Sequence, residues 1–193
     1  MKKIVYITFS VAIVSIAFVY AVSVQSEKKN HVIKVDKVTL NAQLFDAASK
    51  GDVAAVKAAI KAGADVDARD EHERIPMMLA VLNAHGNVVE VLLELGSNPN
   101  AVDSYQCPSL IKASYKGDSV AVRALLKAGS YINAINKYGE SALINAAEYG
   151  HKDIVELLLQ QPGIDRSLRT KEGHSALDVA KDPAIRALLL ESN

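Results

Sequence analysis

The sequence predicts an all-α fold, a solenoid built from stacked helix-turn-helix units. Small and polar residues recur along the chain at a fixed spacing of 33 residues. Each period also contains two short segments whose apolar residues follow helical spacing. Half of the 193 residues are hydrophobic but only 5% are aromatic, which indicates a core of aliphatic side chains and alanine. A repeated unit with so few large side chains must bury its apolar face against its neighbours.

The period is marked by four columns of residues. Two columns are mainly glycine and contain Gly51, Ala84, Gly117 and Gly150 in one, and Gly63, Gly96 and Gly129 in the other. Two more carry Asp or Asn and contain Asp67, Asn100 and Asn133 in one, and Asp70, Asp103 and Asn136 in the other. Pro162-Gly163 continues the second glycine column one residue late. Four columns with one period predict an internal repeat.

Two short helices are expected in each period. In the fourth period, residues 143–146 belong to the first helix and residues 154–159 to the second. Alanines in the first helix allow neighbouring helices to approach closely. Glycine after the second helix supplies a left-handed C-terminal cap, and the Asp or Asn that opens the next period favours a tight turn.

The N-terminus has the composition of a targeting segment. Lys2 and Lys3 precede an uncharged, mainly apolar run of 23 residues from Ile4 to Ser26. A basic start, an apolar centre and a small-residue end are typical of a secretory signal peptide. The length equally suits a membrane-spanning anchor. Residues 1–26 are therefore interpreted as a signal peptide or an N-terminal membrane anchor, and residues 27–39 as a tether.

Both interpretations predict that the remainder of the chain lies outside the cytoplasm, in the periplasm if the source is bacterial. The protein would be soluble after cleavage, or attached to the inner membrane through residues 4–26. Basic and acidic residues balance at 22 each, and the part after the run carries a formal charge near −2. Because nucleic-acid binding needs a clustered basic excess, this charge argues against it.

Residues with catalytic or ligating potential do not form a recognisable constellation. There is no Gly-x-Ser-x-Gly, no phosphate-binding glycine loop and no His-Glu-x-x-His motif. We expect structural roles for His85 and His151, which follow the first glycine column. Cys107, the single cysteine, is expected in a turn near the surface as a small filler. The sequence thus predicts a protein that is not an enzyme and that has no cofactor and no metal site.

These residues resemble the ankyrin-repeat family. The fourth unit is the most similar, through Gly139, Ser141-Ala142-Leu143, Ala146-Ala147, Gly150-His151 and the Ile154–Leu159 run. The resemblance implies a domain over 40–193 with units near 37–69, 70–102, 103–135, 136–169 and 170–193. No unit keeps the family's Thr-Pro-Leu-His turn intact, and Glu73 and Gln106 replace the turn glycine. The resemblance also implies a curved solenoid, expected to be a monomer, whose concave face of turns and first helices binds another protein.

Tyrosine is concentrated in the columns expected on that face. Of the five tyrosines after residue 26, four fall at turn tips or first-helix ends. Tyrosine offers a large contact area with little loss of side-chain entropy. The candidate partner-binding residues are His72, Arg74, Tyr105, Tyr115, Lys116, Tyr138, Glu140 and Tyr149.

The function predicted from these observations is a non-catalytic protein–protein interaction module whose partner lies in the cell envelope. Two narrower hypotheses remain open. In one, the face covers the active site of an exported enzyme, as an inhibitor or an immunity (self-protection) protein would. In the other, the first segment tethers the protein to the membrane as an envelope scaffold.

Overall fold

A computed structural model of the chain describes residues 37–191, which fold into helices joined by turns and two isolated β-bridges. Residues 40–191 belong to one compact unit. The helices are α1 (residues 37–50), α2 (Val53–Ala62), α3 (Pro76–Leu82), α4 (Gly86–Glu94), α5 (Ser109–Lys116), α6 (Ser119–Lys127), α7 (Ala142–Glu148), α8 (Lys152–Leu159), α9 (Ala176–Val179) and α10 (Pro183–Glu191). They form five consecutive pairs, as the 33-residue period predicts.

The helices stack in two rows. The first helices α3, α5, α7 and α9 pack on one another in order, and the second helices α2, α4, α6, α8 and α10 do the same. Their shared core consists of small and aliphatic side chains, with Val88, Val89 and Leu92 of α4 fully buried together with the alanines of the first helices. The expected all-α solenoid is therefore confirmed.

Two histidines join consecutive units. Nε2 of His85 lies 3.1 Å from the carbonyl oxygen of Ser49. Nε2 of His151 lies at the same distance, 3.1 Å, from the carbonyl oxygen of Tyr115. The ring of His151 packs so closely on Gly117 that a Cβ there would lie 2.5 Å from Cε1. The predicted structural role of both histidines is confirmed. Each ring packs against a glycine of the preceding unit, Gly51 or Gly117, where a side chain would collide with it.

The first of the two Asp/Asn columns, which contains Asn100 and Asn133, links the loops that follow the second helices. Oδ1 of Asn133 accepts a 2.8 Å hydrogen bond from the backbone N–H of Asp165, and Nδ2 donates at 2.7 Å to the carbonyl of Gly163. Asn100 makes the equivalent two hydrogen bonds one unit earlier, with the carbonyl of Gly129 and the backbone N–H of Tyr131. Each amide thereby satisfies backbone groups of a neighbouring unit, which fixes the spacing of the stack.

Among residues 37–191, three residues other than glycine adopt the left-handed backbone conformation. Glu73 and Gln106 have φ of 60° and 55° at the turn position that Gly139 fills with φ of 78°. Ala84 has φ of 57° in the first glycine column. Because a Cβ is unfavourable in the left-handed conformation, these three residues lower the stability of the fold relative to glycine, although the turns still form.

The expected surface position of Cys107 is wrong, because its side chain is only 7% exposed. The hairpin folds back so that residue 107 faces inward while the neighbouring Gln106 remains exposed. Sγ contacts the carbonyl oxygen of Pro108 at 3.8 Å. Burial raises the pKa of the Cys107 thiol above its usual value. The expected role as a small filler agrees with this position.

Within residues 37–191, no helix is both long enough and apolar enough to cross a membrane. The segments interpreted as a signal peptide or anchor (1–26) and most of the tether (27–39) lie outside the described residues.

Candidate protein-binding surface

The turns that open the second, third and fourth units are hairpins, each held by the side chain of its first residue. Oδ1 of Asp103 accepts hydrogen bonds from the backbone N–H groups of Tyr105 at 2.8 Å and Cys107 at 3.0 Å. Asp70 and Asn136 make the same pair of bonds in the neighbouring hairpins. A side-chain acceptor of this kind replaces the backbone acceptor of an ordinary turn, so the hairpin tips are held in a fixed shape.

The hairpin tips are also bonded to one another. Backbone N–H groups of three tips donate to carbonyls of the preceding tips, in the pairs Ser104 to His72 at 3.1 Å, Lys137 to Tyr105 at 3.1 Å and Lys171 to Tyr138 at 2.9 Å. The tips therefore form a continuous row along the stack. Side chains at equivalent tip positions lie next to each other as a consequence.

The first tyrosine pair lies on this row. Tyr105 and Tyr138 occupy equivalent positions on adjacent tips, and both side chains are exposed. The ammonium of Lys137 lies 3.8 Å from the centroid of the Tyr105 ring and 5.1 Å from that of Tyr138. Both distances are within the range of cation–π attraction. The cation holds the two rings in a defined arrangement before any partner binds.

The second tyrosine pair lies at the ends of two first helices. The ring centroids of Tyr115 and Tyr149 are 4.5 Å apart and the rings are inclined by 79°, which is an edge-to-face contact. The ammonium of Lys116 lies 5.6 Å from the centroid of the Tyr115 ring. Burial raises the pKa of the Tyr149 phenol, and the carboxylate of Glu148 raises it further. The four tyrosines of the two pairs are 42–50% exposed.

We call the two pairs with their lysines the tip face, defined by Tyr105, Tyr115, Lys116, Lys137, Tyr138 and Tyr149. Of the other candidate residues, His72 is exposed on its tip, whereas Arg74 and Glu140 are half-buried. Nε of Arg74 donates to Asp70 at 2.7 Å. Glu140 accepts from Nδ2 of Asn136 at 2.6 Å. Arg74 and Glu140 thus stabilise their own hairpins.

A buried ion pair below the tips was not expected from the sequence. Nζ of Lys112 lies 2.6 Å from Oδ2 of Asp103, and the two side chains are only 14% and 4% exposed. Burial by itself raises the pKa of Asp103, but the hydrogen bonds from Lys112 and from the backbone of Cys107 outweigh it and lower that pKa below 3.8. The sequence did contain a sign of this pair, since the positions equivalent to Lys112 in the flanking units hold the uncharged Leu79 and Asn145.

Lys137 is not among the candidate residues that the sequence predicts. Its place between two rings follows from the pairing of neighbouring tips, which a single unit does not reveal. Two exposed apolar residues one position before the hairpins, Val102 and Ile135, were missed as well, although their 33-residue spacing marks them as one column.

The chemistry available on this surface is recognition through aromatic rings, lysine ammonium groups and hydrogen bonds. Within residues 37–191, no three His, Cys, Asp or Glu side chains are grouped so that they could hold a metal ion. The exposed tyrosines are combined with fixed backbone, which is the arrangement that a binding surface needs.

Comparison with known protein families identifies the repeat. The family model for ankyrin repeats, which spans three copies, matches residues 24–103 and 110–193. No curated protein matches the sequence. Repeats of this kind are in general non-catalytic modules for protein–protein interaction. With most of its length matched by the family model and its helices paired and stacked as described, the chain belongs to the ankyrin-repeat family.

Proposed function

We propose that this protein is a non-catalytic interaction module that acts outside the cytoplasm and binds one partner protein through the tip face. The observation that carries the proposal is the presence of two exposed tyrosine pairs on a hydrogen-bonded row of hairpins and the adjoining helix ends. Tyr105 and Tyr138 share the ammonium of Lys137, and Tyr115 contacts Tyr149.

Energetic reasons favour these tyrosines as the centre of an interface. Aromatic side chains and arginine dominate interface hot spots, and tyrosine has few rotatable bonds to immobilise. Here the rings are already oriented by lysine contacts and by one another, so little further ordering is needed on binding. Folding does not require them on this surface, because the core is aliphatic and complete without them.

The non-catalytic part of the proposal rests on the state of the potential nucleophile and bases. Cys107 is buried with a raised pKa, which disfavours the reactive thiolate. His85 and His151 are used as inter-unit contacts.

Binding can be tested by affinity capture from an envelope extract of the source cells, using the full-length protein in mild detergent and identifying retained proteins by mass spectrometry. The variant Tyr105→Ala/Tyr138→Ala should lose the partner. Tyr131→Ala is the matched control, because Tyr131 is exposed in the loop after α6, outside the tip face. Equal capture by both variants and the wild type would refute the proposed face.

Action outside the cytoplasm is supported by Lys2, Lys3 and the uncharged run that ends at Ser26. Cell fractionation with N-terminal sequencing tests it. A chain shortened by the first segment, found in the soluble envelope fraction, is the expected result for a signal peptide. A full-length chain in the membrane fraction is expected for the tethered scaffold, which the 23-residue length of the run favours. A full-length cytoplasmic protein would contradict both.

The inhibitor or immunity role is a narrower form of the same proposal. It predicts that the captured partner is an exported enzyme whose turnover falls when the wild-type protein is added and recovers with Tyr105→Ala/Tyr138→Ala. A partner whose activity is unaffected would instead favour a scaffold.

A further inference from the structure

The ammonium of Lys137 contacts two aromatic rings, whereas that of Lys116 lies over one ring at 5.6 Å. Lys50, Lys112 and Lys152 each lie within 4.0 Å of a carboxylate oxygen. Among the described residues, Lys137 makes no such ion pair, and its ammonium is held by the faces of Tyr105 and Tyr138 instead. A ring face interacts with a cation but neutralises none of its charge.

This position restricts the side chain. Lys137 is half-buried, its own backbone N–H is bonded to the carbonyl of Tyr105, and its ammonium lies 3.8 Å from the same residue's ring. An ammonium has three N–H donors, and ring faces do not use all of them as strong hydrogen bonds. The group therefore retains donor capacity and full charge beside two aromatic surfaces that would exclude water from a bound anion.

The charges along the row of tips are not uniform. The tip of the second unit carries the exposed carboxylates Glu71 and Glu73, which lie 3.5 Å from Nε2 of His72 and 3.4 Å from Nη1 of Arg69, respectively. The tip of the third unit has the uncharged Ser104 and Gln106 beside Tyr105, and the next tip has Lys137. The two tyrosine tips thus present a lysine ammonium and no exposed carboxylate, which favours an acidic group of a partner there.

We propose, building on the proposed function, that Lys137 between Tyr105 and Tyr138 is the anchoring site for a carboxylate of the partner protein, an aspartate or glutamate side chain. The carboxylate would accept charge-assisted hydrogen bonds from the ammonium. Its apolar stem would pack against the two rings, which an acidic residue on a protein can do and a free inorganic anion cannot.

The experiment uses a displayed library of random linear peptides as the probe, selected on the full-length protein in mild detergent. We expect the selected peptides to contain an Asp or Glu whose change to Asn or Gln weakens binding about tenfold or more. On Lys137→Met the acidic and amide versions should bind equally. Lys171→Met, which removes an exposed lysine from the next tip, is the matched control and should keep the preference for the acidic version.

Thermal melts of both lysine variants show whether they remain folded. A purely structural role of Lys137 would weaken the binding of both peptide versions, whereas the proposed contact predicts that only the preference for the acidic version is lost. Peptides that need Tyr105 and Tyr138 but show no acidic preference would overturn this inference and leave the proposed function standing. Peptides that bind equally well to Tyr105→Ala/Tyr138→Ala, or an empty selection, would count against both. Lys137-dependent binding to phosphatidylglycerol vesicles without an acidic-peptide preference would also overturn the inference in favour of a lipid headgroup.

Discussion

Replacing Lys112 by methionine isolates the contribution of the one strongly buried ion pair described above. The change removes the cation that lies 2.6 Å from Asp103 and retains an apolar stem of similar length. An apolar side chain suits the position, because Leu79 occupies the equivalent place one unit earlier. The carboxylate of Asp103 would remain buried with only its backbone hydrogen-bond donors.

The size of the effect follows from the burial of the carboxylate. Removing one partner of a buried ion pair costs about 3–5 kcal/mol because the other charge remains desolvated. Asp103 keeps two backbone N–H donors, from Tyr105 and Cys107, so we expect the lower end, about 3 kcal/mol. In a protein of this size, that loss corresponds to a fall in Tm of roughly 6–12 °C.

The assay is urea unfolding of the full-length protein in mild detergent, followed by far-UV circular dichroism at pH 7 and pH 3. The low pKa of Asp103 in the fold contributes stability that is present above its unfolded value of 3.8 and is lost as pH falls through the lower folded pKa. Lys112→Met raises the folded pKa, so its deficit relative to the wild type should shrink towards acidic pH.

The matched control is Asp103→Asn/Lys112→Met, which removes both charges. An amide can still accept the two backbone bonds of the hairpin, as Asn136 does in the next unit. We therefore expect the double variant to recover most of the lost free energy of unfolding. A single variant that costs less than about 1 kcal/mol, or a double variant as unstable as the single one, would refute the assignment of a buried, mutually dependent pair.

Three further substitutions test local contributions to stability, one at a turn and two in the first turns of helices. Ala84→Gly should stabilise the fold by about 0.5–1 kcal/mol in denaturant unfolding, because it relieves the left-handed strain at a cost in unfolded-chain entropy, and a loss would contradict this. Ser109→Ala should raise the free energy of unfolding by about 1 kcal/mol in the same assay, because the buried Ser109 hydroxyl has no hydrogen-bond partner among the described residues. Alanine suits the position, since Ala142 occupies the equivalent site in the next unit. An unchanged unfolding midpoint would mean that the hydroxyl does have a partner. Asp178 has its pKa lowered to about 2 by hydrogen bonds from the side chain and backbone of Ser175, so its contribution to stability is present above 3.8 and lost as pH falls towards 2. The deficit of Asp178→Asn, measured by thermal melts, should narrow over that interval, and a pH-independent deficit would argue against the low pKa.

The rigid tip row also explains how a surface of separate repeats can act as one site. The tips of the second, third and fourth units are closed internally by Asp70, Asp103 and Asn136, and backbone hydrogen bonds join each of them to the next tip. A partner that contacts Tyr105 and Tyr138 therefore meets rings whose separation is set before binding. Substitutions that loosen a single hairpin should consequently weaken binding through both tyrosines of the pair.

Much of the fold could be predicted from the sequence because the repeat presents the same information several times. The spacing of Gly51, Gly117 and Gly150 identifies the unit, and the paired apolar segments identify its two helices. Each unit contacts only its neighbours, so a pattern found in one period holds in the next. The exposure of the four tyrosines follows from the same register.

The environment of individual side chains was decided by the tertiary structure alone. Cys107 was expected near the surface and is buried, because its hairpin turns residue 107 inward. The equivalent residues of the neighbouring hairpins, Arg74 and Glu140, are half-buried and bond to the first residue of their own hairpin. The position of Lys137 between two rings depends equally on a neighbouring unit.

The sequence by itself therefore determined the repeat, its all-α architecture and the column in which each residue lies. Only the tertiary structure decided which side chains of different columns meet, such as Asp103 with Lys112 and Lys137 with two tyrosines. The physical reason is that periodicity fixes backbone register within a unit, whereas pairing of charges and rings depends on distances across units and on burial.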